Sequence, residues 1–270
     1  MHAQSALPES TTAEIAYTVD TGEKLVNGSP APGVRLNTGT YDHRTVRIRN
    51  GRGAGYTLEK DGFELVEHHT RATDLFDARQ LQEVYYPEMV ELVRRRTGAA
   101  RVVVFDHTLR SGDEEERNAN KLRELVHNAH NDYTEWSGPE RVRILLPDEA
   151  EELLKRRFAI IQFWRPTHHT LESTPLALAR AASVAPEDLL VAERHHPGRI
   201  GQIYRLRYNP AHEWVYFPRM RREEGILFTV YDSARDGRPR FTPHTAFSDP
   251  HTPPGALPRK SMEIRTIAFF

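Results

Sequence analysis

Pro239–Phe270 reads PRFTPHTAFSDPHTPPGALPRKSMEIRTIAFF. Two runs within it, FTPHTAF and SMEIRTIAFF, carry the β-branched and aromatic residues that suit a pleated, half-buried surface, and a Pro-, Gly- and Asp-containing segment separates them, so both are expected as strands. Further strand-like runs precede them in roughly the last seventy residues: QIYRLRY, EWVYF and ILFTVYD. Many short strands at regular spacing point to a sandwich or barrel of jelly-roll type. A doubly wound α/β fold would need regular alternation of strand and helix, and it prefers a glycine-rich first turn. The chain shows neither.

Upstream of this tail the pattern is mixed. AEIAYTV (Ala13–Val19) and RTVRIR (Arg44–Arg49) alternate apolar and polar residues as strands do, with turn chemistry in NGSPAPG between them. Asp77 to about Thr97 is expected as a helix stopped by Gly98, with Leu81, Val84, Tyr85, Met89, Leu92 and Val93 on one face and a kink or break at Pro87. RVVVFDHTLR (Arg101–Arg110) reads as a buried strand. The charged segment Ser111–Leu125 reads as a solvated loop with a short helix, or as a lid. A short helix is expected over Asp148–Arg157, a buried strand in FAIIQFW followed by Arg165 and Pro166, and a helix near Pro175–Ala182. The fold expected is therefore mainly β with flanking helices. There is no internal repeat or long linker, so residues 1–270 are read as one domain.

The chemistry is concentrated in LVHNAHNDYTEWSG (Leu125–Gly138). On a strand, residues i and i+2 point to one side, so His130 and Asp132 can aim an imidazole nitrogen and a carboxylate oxygen at one ion. In a chain with 14 histidines, about one His-x-Asp is expected by chance, so the pair needs support from elsewhere. His244 stands on a probable strand 112 residues after Asp132. Two histidines and a carboxylate with open positions opposite make the facial triad of non-haem Fe(II) oxygenases. His251, His212 and the pair His195-His196 are the rivals of His244. Arg259 follows His244 by 15 residues, and Arg259-Lys260-Ser261 is the only Arg-x-Ser in the sequence. Arg259, Ser261 and Arg265 share strand parity. A guanidinium fork can bind a carboxylate bidentately, and a hydroxyl beside it can donate to the same group. Arg265 is the alternative anchor.

His-x-Asp, a distant His and a carboxyl-terminal Arg-x-Ser resemble the Fe(II)/2-oxoglutarate-dependent oxygenases. VVVFDHTLR, HNDY, FWRP, PLALARAASV, YFPRM, TVYDSARDG and the C-terminal stretch resemble one branch in particular, which includes the cephem 7-methoxylase component, the aspergillic acid hydroxylase and the gibberellin desaturase. The resemblance covers residues 62–270, with the strands of residues 1–61 matched only loosely. It implies a double-stranded β-helix (jelly-roll) core with inserted helices. It implies Fe(II) on His130, Asp132 and His244, with 2-oxoglutarate on Arg259 and Ser261, and O2 as oxidant. The reaction implied is hydroxylation, desaturation or cyclisation of a small molecule in specialised (secondary) metabolism, with succinate and CO2 as coproducts. Tyr133, Trp136, Trp164 and Arg165 are candidates for the substrate wall. Two other readings stay open on residues alone: an iron oxidase without 2-oxoglutarate, and a non-redox, cupin-like metal-binding module.

Composition removes other classes. The absence of cysteine excludes disulfides, thiolate metal sites and a cysteine nucleophile. With 37 basic against 38 acidic residues, no nucleic-acid or anionic-membrane partner is expected. No apolar run approaches a membrane span, and the first residues lack the basic and apolar regions of a signal peptide, so a cytoplasmic enzyme is expected. A homodimer is a prior from symmetry alone.

Overall fold

Tertiary contact overrules local propensity first at Leu176–Ala179. The sequence LALA favours helix on propensity, yet it forms a strand buried at every position, with Trp214–Tyr216 antiparallel on one side and His244–Ala246 on the other. The helix expected over Pro175–Ala182 is therefore absent, and only a 3-10 turn at Ala181–Ser183 follows. A computed structural model describes residues 7–270; the start of the stretch expected to lack a leader, residues 1–6, lies outside the described residues.

Two sheets hold the chain. In the larger, ten strands run in the order β1 (Ser10–Thr18), β4 (Tyr41–Asn50), β12 (Trp214–Tyr216), β9 (Leu176–Ala179), β14 (His244–Ala246), β7 (His130–Asn131), β11 (Arg199–Leu206), β10 (Leu189–His196), β2 (Leu25–Gly28) and β3 (Leu36–Asn37). The smaller has five, β5 (Phe63–Glu67), β13 (Glu224–Asp232), β8 (Phe158–Pro166), β15 (Lys260–Phe269) and β6 (Arg101–Ser111). The protein is mostly β with few helices. Among the described residues no helix is long and apolar enough to cross a membrane.

The smaller sheet is covered on both faces, so β8, β13 and most of β15 are buried along their length. Alternation then assigns each side chain. Phe158, Ile160 and Trp164 face the larger sheet with Phe228, Val230, Ile267, Leu176 and Leu178. Ala159, Ile161 and Phe163 face the other way, onto Leu81, Tyr85, Met89, Leu92 and Val93 of the helical stretch. That stretch starts at the Asp77 cap, whose carboxylate accepts from Arg79 N and Gln80 N. It continues as α2 (Ala78–Gln80), a π turn (Leu81–Tyr85) and α3 (Tyr86–Thr97), and stops at Gly98 with φ 73°. The widened turn lies just before Pro87, whose ring would meet the carbonyl of Glu83 in a regular helix. The expected break is thus a local widening, and the apolar face stays continuous.

Other helices are short: α1 (Leu58–Asp61), α4 (Glu114–Asn120) within the charged segment, α5 (Ser137–Leu145) and α6 (Ala150–Leu153). α6 is shorter than the helix expected over Asp148–Arg157, and α5 was not expected at all.

One side chain ties the two sheets together beside the chemistry. Asn131, fully buried on β7, donates from Nδ2 to the carbonyls of Tyr133 (2.7 Å) and of Val230 on β13 (2.8 Å), and its Oδ1 accepts from Thr242 N (3.1 Å). Asn131→Ala strands three buried backbone groups, so it is expected to lower unfolding free energy by about 2–5 kcal/mol in denaturant titration. Asn131→Asp, which cannot donate to the two carbonyls, should cost at least as much; a wild-type midpoint for either variant would remove this tie from the account.

Candidate active site

His130 and His244 are direct partners across the antiparallel pair β7–β14, and their rings lie 4.6 Å apart between centroids. Each ring is oriented by the same device. His130 Nδ1 lies 2.8 Å from the carbonyl of Asn128, and His244 Nδ1 lies 3.0 Å from that of Thr242, in both cases two residues back along the chain. A carbonyl can only accept, so Nδ1 carries the proton in each ring and Nε2 presents a lone pair. Asp132 follows β7 on the same side as His130, with Oδ1 3.6 Å from His130 Nε2. One ligand atom from each of the three residues falls within 4.8 Å of the others.

The outer oxygen of Asp132 is already occupied. Gln162 Nε2 donates to Oδ2 at 2.6 Å, and the Arg265 guanidinium approaches the same oxygen at 3.4 Å. Oδ1 is left facing the two imidazoles. Burial alone would raise the carboxyl pKa, but Arg265 and the two histidines outweigh it and hold the group well below the usual carboxylate range. His130 is pushed down to about 3, by burial first and then by His244. His130 is thus a neutral imidazole and Asp132 a carboxylate at neutral pH, which is the protonation a divalent cation requires of them. Outer partners of this kind fix ligand orientation.

Beyond these three side chains, β15 sends its odd-numbered residues between the sheets. Arg259 is buried, with Nε donating to Ser261 Oγ (3.1 Å), Nη1 donating to the carbonyl of Thr174 (2.9 Å), and its guanidinium 5.0 Å from the Trp164 ring centroid. Among the described residues no carboxylate pairs with it. Burial and the neighbouring Arg110 pull its pKa down to about 9, which still leaves it charged at neutral pH. Arg265 differs: it pairs with Asp106, Asp132 and Glu263 and donates to Thr108 Oγ1. The alternative anchor is therefore saturated, and it braces Asp132 instead. Arg110, Glu263 and Trp164 complete the narrow cavity around Arg259.

A second, wider cleft of about 570 Å³ opens from the same ligands toward solvent, with Tyr133 and Trp136 in its wall. Of the four wall candidates, Trp164 sits in the inner cavity and Arg165 in neither. Arg165 is one residue on from Trp164 and so faces the helical side, where it donates to the carbonyls of His68 and Arg222 and lies 5.9 Å from the Tyr85 ring. Its placement in the substrate wall is corrected by strand alternation. The rivals of His244 lie elsewhere: His212 on Asp188 (3.1 Å), His251 on Asp249 (3.2 Å) and His195 on Glu193 (2.8 Å). His196 ends β10 and lines the cleft. Gln162 and Arg110 were not anticipated. Gln162 had a legible signal, as the one polar side chain inside FAIIQFW.

Residues 15–269 match the family model described as YDMC, Oxidoreductase/YMDC permease-like domain. The chain is 32% identical over 245 residues, 88% of each chain, to the alpha-ketoglutarate-dependent dioxygenase phiK of a fungal species. It is 32% identical over 275 residues, 93% of this chain and 83% of the relative, to the hydroxylase/desaturase CTB9 of Cercospora beticola. Among solved structures, the iron and alpha-ketoglutarate-dependent endoperoxidase NvfI superposes with a TM-score of 0.86 at 26% identity, covering 97% of this chain and 98% of that one. The chain belongs to this oxidoreductase family, among the Fe(II)/2-oxoglutarate-dependent dioxygenases and hydroxylase/desaturases.

Proposed function

We propose that His130, Asp132 and His244 hold one Fe(II), and that Arg259, assisted by Ser261, anchors 2-oxoglutarate beside it. The observation that carries this is the convergence of three ligand atoms within 4.8 Å, with the outer atom of each ligand already committed to Asn128, Thr242 or Gln162. Such a donor set, nitrogen and carboxylate on one face, fits Fe(II). When bound, Fe(II) with 2-oxoglutarate and O2 supplies the oxidising power to hydroxylate, desaturate or cyclise a small molecule, giving succinate and CO2.

The chain's own residues divide the remaining work. Arg259 is a buried cation without a carboxylate partner, so a dicarboxylate cosubstrate supplies the charge that its environment lacks. Ser261 fixes its Nε and offers a hydroxyl to the same carboxylate. Trp164 covers the guanidinium and keeps water from it. Arg265 and Gln162 hold Asp132 ionised and aimed. Tyr133 and Trp136 form the substrate side. The two facing sheets are proposed to be a double-stranded β-helix (jelly-roll) core, and residues 1–270 one domain, since β1 and β4 extend the sheet that carries β7 and β14. Small-molecule oxidation in specialised metabolism, in the cytoplasm, fits the family and the size of the cleft. The 2-oxoglutarate dependence of the relatives favours this reading over an iron oxidase without cosubstrate or a non-redox metal-binding module.

Anaerobic titration of metal-free protein with Fe(II) and then 2-oxoglutarate is expected to produce the weak visible charge-transfer band of the chelate. His130→Ala should abolish the band. Arg259→Gln should weaken 2-oxoglutarate binding by about 30-fold or more, the cost of losing a buried charged partner. Iron uptake without a band would give the lead to the oxidase reading, and no uptake would end both. Separately, Gln162→Ala should lower Fe(II) affinity by about 10–100-fold, as outer-partner changes do; an unchanged affinity would show that Arg265 alone orients Asp132.

A further inference from the structure

The outer cleft has a charge pattern that the chemistry above leaves unused. Arg123, Arg141 of α5, Arg194 of β10 and Arg199 of β11 all line it. The carboxylates in the same cleft are committed elsewhere: Asp106 and Asp132 to Arg265, and Glu140 to Arg143. Among the described residues none of the four guanidiniums has a carboxylate partner, and Arg141 Nε is buried without any hydrogen-bond acceptor. His196 stands among them and is pushed down to about 4, by burial first and then by Arg199, Arg194, Arg123 and Arg141. Arg110 also lines the cleft and bonds only the Glu124 carbonyl, so five like charges in a half-enclosed space repel one another in a reduced dielectric. A chain with 38 acidic residues does not lack carboxylates to neutralise them. The uncompensated charge is therefore placed for a ligand.

The cleft is also apolar where surfaces usually are not. Trp136, Ile144 and Ile200 are 49%, 50% and 53% exposed, and all three line it. Single exposed apolar residues mean little, but a cluster around a concave site marks a binding surface. A cleft of about 570 Å³ is of the size that takes a drug-sized molecule.

We propose that the substrate is an amphipathic organic acid, with an apolar body lying on Trp136, Ile144 and Ile200 and its carboxylate held by Arg141 and Arg199, with Arg123 and Arg194 supplying further positive field. This deepens the oxygenase reading and rests on it only for the fate of the C–H bond presented to the three ligands. A guanidinium fork suits carboxylate and phosphate alike. No lysine lines the cleft, and the carboxylate is the assignment made.

The test uses three probes on one apolar body: 1-naphthaleneacetate, its uncharged amide 1-naphthaleneacetamide, and 1-naphthyl phosphate. Binding is read by calorimetry under anaerobic conditions, with and without saturating Fe(II) and 2-oxoglutarate. The acid is expected to bind at least about 10-fold more tightly than the amide, with a preference that shrinks as salt rises. Arg141→Gln and Arg199→Gln should each weaken the acid about 10-fold and leave the amide within about twofold. Arg79→Gln, paired with Glu83 on the helical stretch and outside the cleft, should change neither. Equal affinity for acid and amide, no measurable binding of either at millimolar probe, or loss of the acid only in Arg259→Gln would overturn the proposal. A phosphate preferred over the acid by about 10-fold would overturn it in favour of a phosphorylated substrate. The acid preference is read also without cofactors, so it stands or falls separately from the charge-transfer band.

Discussion

The pairing of His130 with His244 across β7 and β14 is the constraint on which the site depends. Side chains alternate along a strand, so a slip of one residue in either strand would send an imidazole to the wrong face. β7 is only two residues long and β14 three, too short for their ladder bonds to fix a register unaided. Asn131 supplies what the ladder lacks. It sits between His130 and Asp132, reaches the carbonyl of Val230 on the facing sheet, and accepts from Thr242, two residues before His244. One buried amide thus sets the position of β7 against both its neighbour strand and the opposite sheet. The carbonyl of Thr242 then accepts from His244, so the same short segment fixes register and tautomer together.

Charge pairing separates the arginines that build the site from those that serve ligands. Arg265 meets buried Glu263, partly buried Asp132 and exposed Asp106, a network whose members satisfy one another. Removing a member leaves charge uncompensated, so the network is rigid by necessity. Arg259 has a hydroxyl and a carbonyl instead of a carboxylate, and the four cleft arginines have less. Arg259, just before β15, and Arg265 on it arrive by the same odd-numbered alternation, yet one is finished within the protein and the other is not. Parity brings a side chain to a site, but only its partners decide what it does there.

Much of this was legible in the sequence. The strand-rich tail and the helix from the Asp77 cap to Gly98 appear where residue patterns put them, and His130, Asp132 and His244 come together in space. The failures have physical causes. Leu176–Ala179 is helix by propensity and strand by burial, because two neighbouring strands offer it partners that no local window contains. Trp164 and Arg165 were placed together as neighbours in sequence, whereas alternation sends them to opposite faces of β8. The cleft arginines come from the segment before β7, from α5, and from the β10–β11 hairpin. Nothing in their sequence spacing announces a cluster, since the cluster exists only once long-range pairing has formed.

The two cavities meet at the ligands, and that junction explains why the chain keeps two kinds of unpaired cation. His130, Asp132, Arg110 and Arg265 line both the inner cavity and the outer cleft. On the inner side the Arg259 guanidinium lies against Trp164 and Ser261, beside Arg110 and Arg265 in the same narrow cavity. On the outer side the cations are spread over a wider opening beside exposed apolar side chains. An anionic substrate and an anionic cosubstrate would otherwise compete for the same positive field. The saturated Arg265 network and the carboxylate of Asp132 stand between the two groups, so neither anion gains by sliding past the ligands into the other's place. Discrimination then rests on enclosure and body shape, with charge drawing both molecules in from opposite sides of one centre.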